Sequence, residues 1–105
     1  MPMLSTRGAA AVSESTAILR GLAPDGGLYV PQTFPHFSLD EIAALSALDY
    51  QARALTILQK FLPDFTADEL KNAIAGAYGT GFDDARIAPV CPVGTWAHAL
   101  ELWHG

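Results

Sequence analysis

Apolar positions in the middle of the chain recur at helical spacing. Leu55, Leu58 and Leu62 fall on one face of "YQARALTILQKFL", a stretch that Asp49 can cap and Pro63 closes. The segments on either side start with the same pattern of residues. Phe37-Ser38-Leu39-Asp40-Glu41-Ile42 is a Ser-x-x-Glu capping box, with Phe37 and Ile42 placed as a hydrophobic staple. Phe65 to Leu70 repeats the arrangement with Thr66 as the cap, and that helix runs from Ala67 to about Tyr78, where "GTGF" breaks it. Three helices joined by short loops therefore fill the middle.

The flanks read as shorter elements. "MLSTRG" is an extended stretch ended by Gly8. Ser13 caps a helix through "ESTAILR", whose narrow apolar face is Ala17, Ile18 and Leu22. Then comes "GLAPDGGLYVP": Gly21 stands where a helix C′ glycine belongs, Pro24-Asp25-Gly26 has turn chemistry, and "LYV" is a strand stopped by Pro31. Towards the other end, "APVCPVG" reads as a proline-interrupted connector within residues 83–97. After it, His98 to Trp103 is a strand whose single charge, Glu101, suits cover on both faces. The expected fold is a small α/β domain with about three central helices and short flanking strands. A core strand wants neighbours on both sides, so the chain reads as cut after Gly105.

Composition narrows the classes. With 105 residues, half of them apolar and 16% charged, the chain suits one folded domain and excludes whole-chain disorder. Net charge is −5, and the six basic residues (Arg7, Arg20, Arg53, Lys60, Lys71, Arg86) are scattered, which argues against nucleic acid as a partner. The single Cys91 allows no internal disulfide and suits a reducing compartment. No apolar run approaches the roughly 20 residues of a membrane span, and Arg7 and Gly8 interrupt any signal-peptide pattern. The expectation is a cytoplasmic chain without membrane contact.

The residues offer little chemistry on their own. The glycines of "PDGG" lack a following helix and carry an aspartate, so a structural turn outweighs a phosphate loop. His36, Cys91, His98 and His104 show no metal-ligand spacing; His98 and His104 on one strand would stand about 20 Å apart. No motif fixes a nucleophilic serine. Lys60 and Lys71 read as solvated rather than as Schiff-base lysines. "STRG" sets two hydroxyls and a guanidinium in a row, so Ser5, Thr6 and Arg7 are a candidate anion contact beside the blander reading of an edge strand with a solvated Arg7.

In their order along the chain, "STRG", "VSESTAILRGLAPDGGLYVP", a Phe-Pro before a capped helix, and "LELWHG" resemble the N-terminal region of the threonine synthase family. The resemblance runs along essentially the whole chain, and "GLAPDGGLYVP" and "LELWHG" are its most specific blocks. One position departs: the family often has phenylalanine where this chain has Glu14.

The resemblance implies a parent enzyme that uses pyridoxal phosphate to convert O-phospho-L-homoserine and water to L-threonine and phosphate. It places the cofactor lysine beyond Gly105, in a "PT-x-AFKD" segment. The chain alone is then inactive, with no catalytic, cofactor-binding or metal residue of its own. His104 and Gly105 would border the active site. Residues 1–95 would form the N-terminal domain, and 96–105 the first strand of the cofactor domain. A severed fragment of this kind is expected to self-associate. Two alternatives stand beside this reading: a stand-alone helical interaction module, and a fragment of a threonine synthase-like phospho-lyase.

Overall fold

A computed structural model describes all residues from Met1 to Gly105. Strand β1 (Met3–Ser5) is followed by helix α1 (Glu14–Arg20) and strand β2 (Tyr29–Pro31). Three helices then run consecutively, α2 (Leu39–Leu45), α3 (Tyr50–Phe61) and α4 (Ala67–Ala77), before strands β3 (Val90–Val93) and β4 (Ala97–Leu100). The strands form two separate antiparallel pairs, β1 with β2 and β3 with β4.

Every helix begins where its cap falls in the sequence. The side chains of Ser13, Ser38, Asp49 and Thr66 each accept a hydrogen bond from a first-turn amide. Both capping boxes close, with Glu41 and Glu69 reaching back to the N–H groups of Ser38 and Thr66. Glu41 also pairs with Lys60 Nζ at 2.6 Å, which fixes α2 against α3 and pulls the Glu41 carboxyl down to about 2. The same ammonium lies 4.2 Å above the Phe37 ring. At the other end of α2, the Arg53 guanidinium donates to the carbonyls of Leu45 and Leu48, satisfying groups a helix leaves open.

Helices α3 and α4 pack as an antiparallel pair. Leu70 and Ile74 of α4 are buried, and Tyr50 meets Tyr78 edge to face at 5.1 Å. Ile87 is buried nearby although its φ is +67°, a conformation that opposes a β-branched side chain. Only nine residues are buried in all, and the radius of gyration is 16.2 Å against about 13 Å for a close-packed chain of this length. Large apolar side chains remain in solvent, among them Leu19, Trp96 and Trp103.

The strands differ from the sequence expectation in extent. Pro31 is the last residue of β2 rather than the residue beyond it, and it pairs with Met3, whose own N–H and carbonyl bond to Val12 on the other side. The missing proline N–H is not needed there. "APVCPVG" is more than a connector: it holds β3, paired with β4 in the register Pro92 opposite His98. Glu101 N–H donates to the Pro89 carbonyl, and alternation from there puts Pro92 at a pair with no hydrogen bonds. The final strand is Ala97–Leu100 rather than His98 to Trp103, and it has one strand neighbour, with Leu100 more than half exposed. The line drawn between residues 95 and 96 falls inside this hairpin.

Glu14, the residue that departs from the family pattern, has no exposed surface. Its carboxylate takes the α-ammonium of Met1 at 2.7 Å and the Asp64 N–H at 3.3 Å. The pairing raises the α-amine's affinity for its proton, with Asp64 adding to the effect. A buried ion pair is costly to break from one side yet replaceable by a well-packed apolar group. Glu14→Ala and Glu14→Phe should therefore each lower the unfolding free energy by about 3–5 kcal/mol, because either leaves the Met1 ammonium without its partner. Urea unfolding of the two variants checks this; a Glu14→Phe variant as stable as the parent would mean that packing alone can fill the slot.

Candidate functional site

Two clusters hold the residues singled out from the sequence. The first joins "STRG" to "PDGG". Asp25 sits in the turn after Ala23, and its carboxylate accepts three hydrogen bonds: from Ser5 Oγ at 2.7 Å, Ala9 N–H at 2.7 Å and Gly27 N–H at 3.0 Å. Ser5 Oγ in turn accepts the Arg7 N–H at 3.1 Å. Thr6 Oγ1 accepts the Leu28 N–H, and the Thr6 N–H returns to the Leu28 carbonyl, both at 2.9 Å. These bonds extend the β1–β2 pairing beyond its ladder.

The two loops fit closely enough to explain their glycines. Gly27 is buried, and a Cβ there would collide with Ser5 Oγ and press on the Arg7 backbone. Gly26 has a φ of +80°, and the Arg7 guanidinium crosses the space where its side chain would stand. "PDGG" is thus an interlocking turn in which both glycine amides are engaged: Gly26 N–H bonds to Ala23 and Gly27 N–H to Asp25. Neither glycine amide is free to cradle a phosphate.

Of the three residues read as an anion contact, Ser5 is buried and spends its hydroxyl on Asp25, and the Thr6 hydroxyl serves Leu28. Arg7 is exposed, with one hydrogen bond from Nη1 to the Asp25 carbonyl at 3.3 Å and no carboxylate partner. Its remaining donors face solvent. The Ser5 hydroxyl, then the Gly27 amide, hold the Asp25 carboxyl below its ordinary value.

The second cluster surrounds His104. Its Nδ1 lies 2.5 Å from the Asp83 carboxylate and its Nε2 2.8 Å from Glu101. The imidazole is largely covered, Glu101 nearly as much, and Asp83 is exposed. Glu101 and then Asp83 raise the affinity of the ring for its second proton. Hydrogen bonding from Cys91, then from His104, lowers the Glu101 carboxyl, while Glu101 and burial push the Cys91 thiol up. Beside them, Arg86 grips Asp84 through two hydrogen bonds and brings that carboxyl to about 2. Gly105 lies against the Phe82 ring, where any Cβ would meet it at 2.9 Å.

The other candidates stay apart from both clusters. His36 and His98 are exposed, Lys71 lies on an exposed face of α4, and Lys60 is committed to Glu41 and the His36 carbonyl. No group of three or more histidine, cysteine or acidic side chains is arranged to hold a metal ion. Asp25, Asp83 and Glu101 are the members that sequence reading missed as site residues. Asp25 was visible as a turn former, but its partner Ser5 is 20 positions away and no spacing rule links them.

Residues 3–78 match the family model described as threonine synthase N terminus. The chain therefore belongs to the threonine synthase family and corresponds to its N-terminal region. Threonine synthase of Pseudomonas aeruginosa is 39% identical over the whole chain, which covers 23% of that protein. A human threonine synthase-like protein is 39% identical over 87% of the chain and 13% of its own length. The crystal structure of a threonine synthase with bound PLP from Brucella melitensis superposes on all of the chain with a TM-score of 0.85 at 36% identity, again covering 23% of that molecule. The chain thus spans less than a quarter of the relatives it matches.

The interlock contributes to the acid sensitivity of the fold, beside the lowered carboxyls of Glu41 and Asp84. A carboxyl lowered on folding contributes stability that is present above its unfolded value and lost as pH falls through the folded one. Unfolding monitored by tyrosine fluorescence should show stability declining below about pH 4, and Asp25→Asn should remove part of that decline. Gly27→Ala should cost about 2 kcal/mol or more at neutral pH, because the Ser5 and Arg7 positions must shift.

Proposed function

We propose that the chain is the N-terminal part of a threonine synthase, an enzyme that converts O-phospho-L-homoserine and water to L-threonine and phosphate with pyridoxal phosphate. The observation that carries this is the end-to-end superposition on the PLP-bound structure, which extends past the family-model match through β3, β4 and His104. The same match favours an enzyme segment over a stand-alone interaction module. The exposed apolar side chains of α1 and of residues 96–103 suit a segment that packs against more protein. Left alone, such a surface favours self-association.

In this reading the cofactor site is not among the residues present. Lys60 is ion-paired, Lys71 is solvated, and the two glycine amides of "PDGG" are engaged. The lysine and the phosphate-binding groups are assigned to chain beyond Gly105, reached through β4 and the 101–105 segment. Residues 1–95 then form the N-terminal domain, and 96–105 lead into the cofactor domain. In this reading the segment acts as a scaffold. It fixes the path by which the chain enters the active site, with His104 and Gly105 at its border. Arg7, held flat across Gly26, is the group here that could meet a substrate anion; Ser5 and Thr6 support it through Asp25 and Leu28. The cellular setting assigned to it is the cytoplasm, and no helix is long and apolar enough to cross a membrane.

A second reading, a threonine synthase-like phospho-lyase, is favoured by the match to the human protein. The two differ in substrate groups assigned beyond Gly105. Adding pyridoxal phosphate to the 105-residue chain should give no absorption band of a lysine-bound cofactor. The coding sequence that continues past Gly105 should read "PT" and then "FKD", and the extended protein should gain both the band and threonine formation from O-phosphohomoserine. A band from the short chain, or a different continuation, overturns the assignment; a band without threonine formation selects the phospho-lyase.

A further inference from the structure

Residues 101–105 are fastened to the loop before β3 by two bonds between the same pair of residues. The Asp83 N–H donates to the His104 carbonyl at 2.9 Å, and the Asp83 carboxylate takes His104 Nδ1 at 2.5 Å. The opposite ring nitrogen takes Glu101 at 2.8 Å, three residues back on the same segment. A neutral imidazole carries one N–H and can donate to only one of these acceptors. With carboxylates on both nitrogens, only the imidazolium completes both bonds. Behind the pair, Phe82 stands under Gly105 and continues through Tyr78 to Tyr50 at centroid distances of 6.1 and 5.1 Å, so the loop is braced on α4 and α3.

We propose that His104, as an imidazolium between Asp83 and Glu101, is a positioning residue: it clasps the segment 101–105 to the loop 82–84 and sets the direction in which the chain continues past Gly105. The proposal rests on the reading above for its consequence, since that continuation is where the cofactor lysine is assigned. Its structural half stands on this chain alone. Asp84 adds negative charge facing the ring, and Trp103 lies beside it at 5.6 Å. Arg86 binds Asp84, and the Cys91 thiol lowers the Glu101 carboxyl, so both tune the acceptors and neither replaces the imidazole.

The sign of the pH dependence follows. A group whose proton is held more tightly in the folded state gives stability that is present at low pH and lost as pH rises through the folded value. The clasp should be closed in mildly acidic to neutral solution and open above it.

Proton NMR of the 105-residue chain tests this, with the His104 ring signal assigned by its loss in His104→Ala. The ring should titrate above an ordinary histidine, and Glu101→Gln should bring the titration down. The protection factor of the Asp83 amide against hydrogen exchange should fall about tenfold as His104 loses its proton, the effect of one charge-assisted hydrogen bond. In His104→Gln, which keeps a neutral donor, protection should be low and independent of pH over that range. A Gln variant with full protection, or protection that ignores the ring titration, would overturn the clasp. In the extended protein, His104→Gln should lower kcat with a changed alkaline limb and little change in KM. An intact clasp by NMR with no such effect on kcat would limit His104 to a structural role, whereas failure of the extended protein to take up cofactor counts against the enzyme reading and leaves the NMR result standing.

Discussion

The carboxylate of Asp25 gathers donors from three places: a strand residue 20 positions earlier, the loop that leaves that strand, and its own turn. A β1–β2 pair of three residues each is too short to hold itself together in water. The charged acceptor supplies what the ladder lacks, because hydrogen bonds to a carboxylate are stronger than those between neutral groups. With Asp25 in place, Ser5 is fixed, Arg7 is laid across Gly26, and Gly27 must have no side chain. The order of "STRG" and the order of "PDGG" are two halves of one constraint. The glycines that suggest a phosphate loop are there to let two backbones approach.

What could be read from the sequence follows the range of the interactions. Caps and turns act within three or four residues, so Ser13, Ser38, Asp49 and Thr66 mark their helices, and Gly21 and Pro24 mark the turn. The β3–β4 hairpin was half seen. Pro92 argued against a strand, and only the alternation of hydrogen-bonded pairs shows that its position makes no demand on an N–H. The candidate site was least legible. Asp83 and His104 are 21 residues apart and Glu14 is 50 from Asp64, and local pattern carries no information at that range. The resemblance pointed to His104 without showing what holds it.

The two clusters share a logic: each uses charge to join pieces of chain that have little apolar contact. That suits a molecule with nine buried residues, where packing cannot do all the joining. Glu14 with the Met1 ammonium is a third case. Polar fastening leaves apolar side chains free to face outward. Leu102 and Trp103 lie in the segment that His104 secures, so the clasp also orients that surface.

Ile87 shows how such a fold can hide a residue from mutational survey. Its backbone is held at a φ of +67°, which costs about 1–3 kcal/mol for a branched side chain. Its burial returns a similar amount. Glycine at this position would relieve the first and forfeit the second, and the melting temperature could barely move. A scan that ranks positions by lost stability would then score Ile87 as dispensable, although two opposed forces meet there. Its role would show instead in a variant that changes one force alone, such as valine, which keeps the branch and the strain but gives up a methylene of packing.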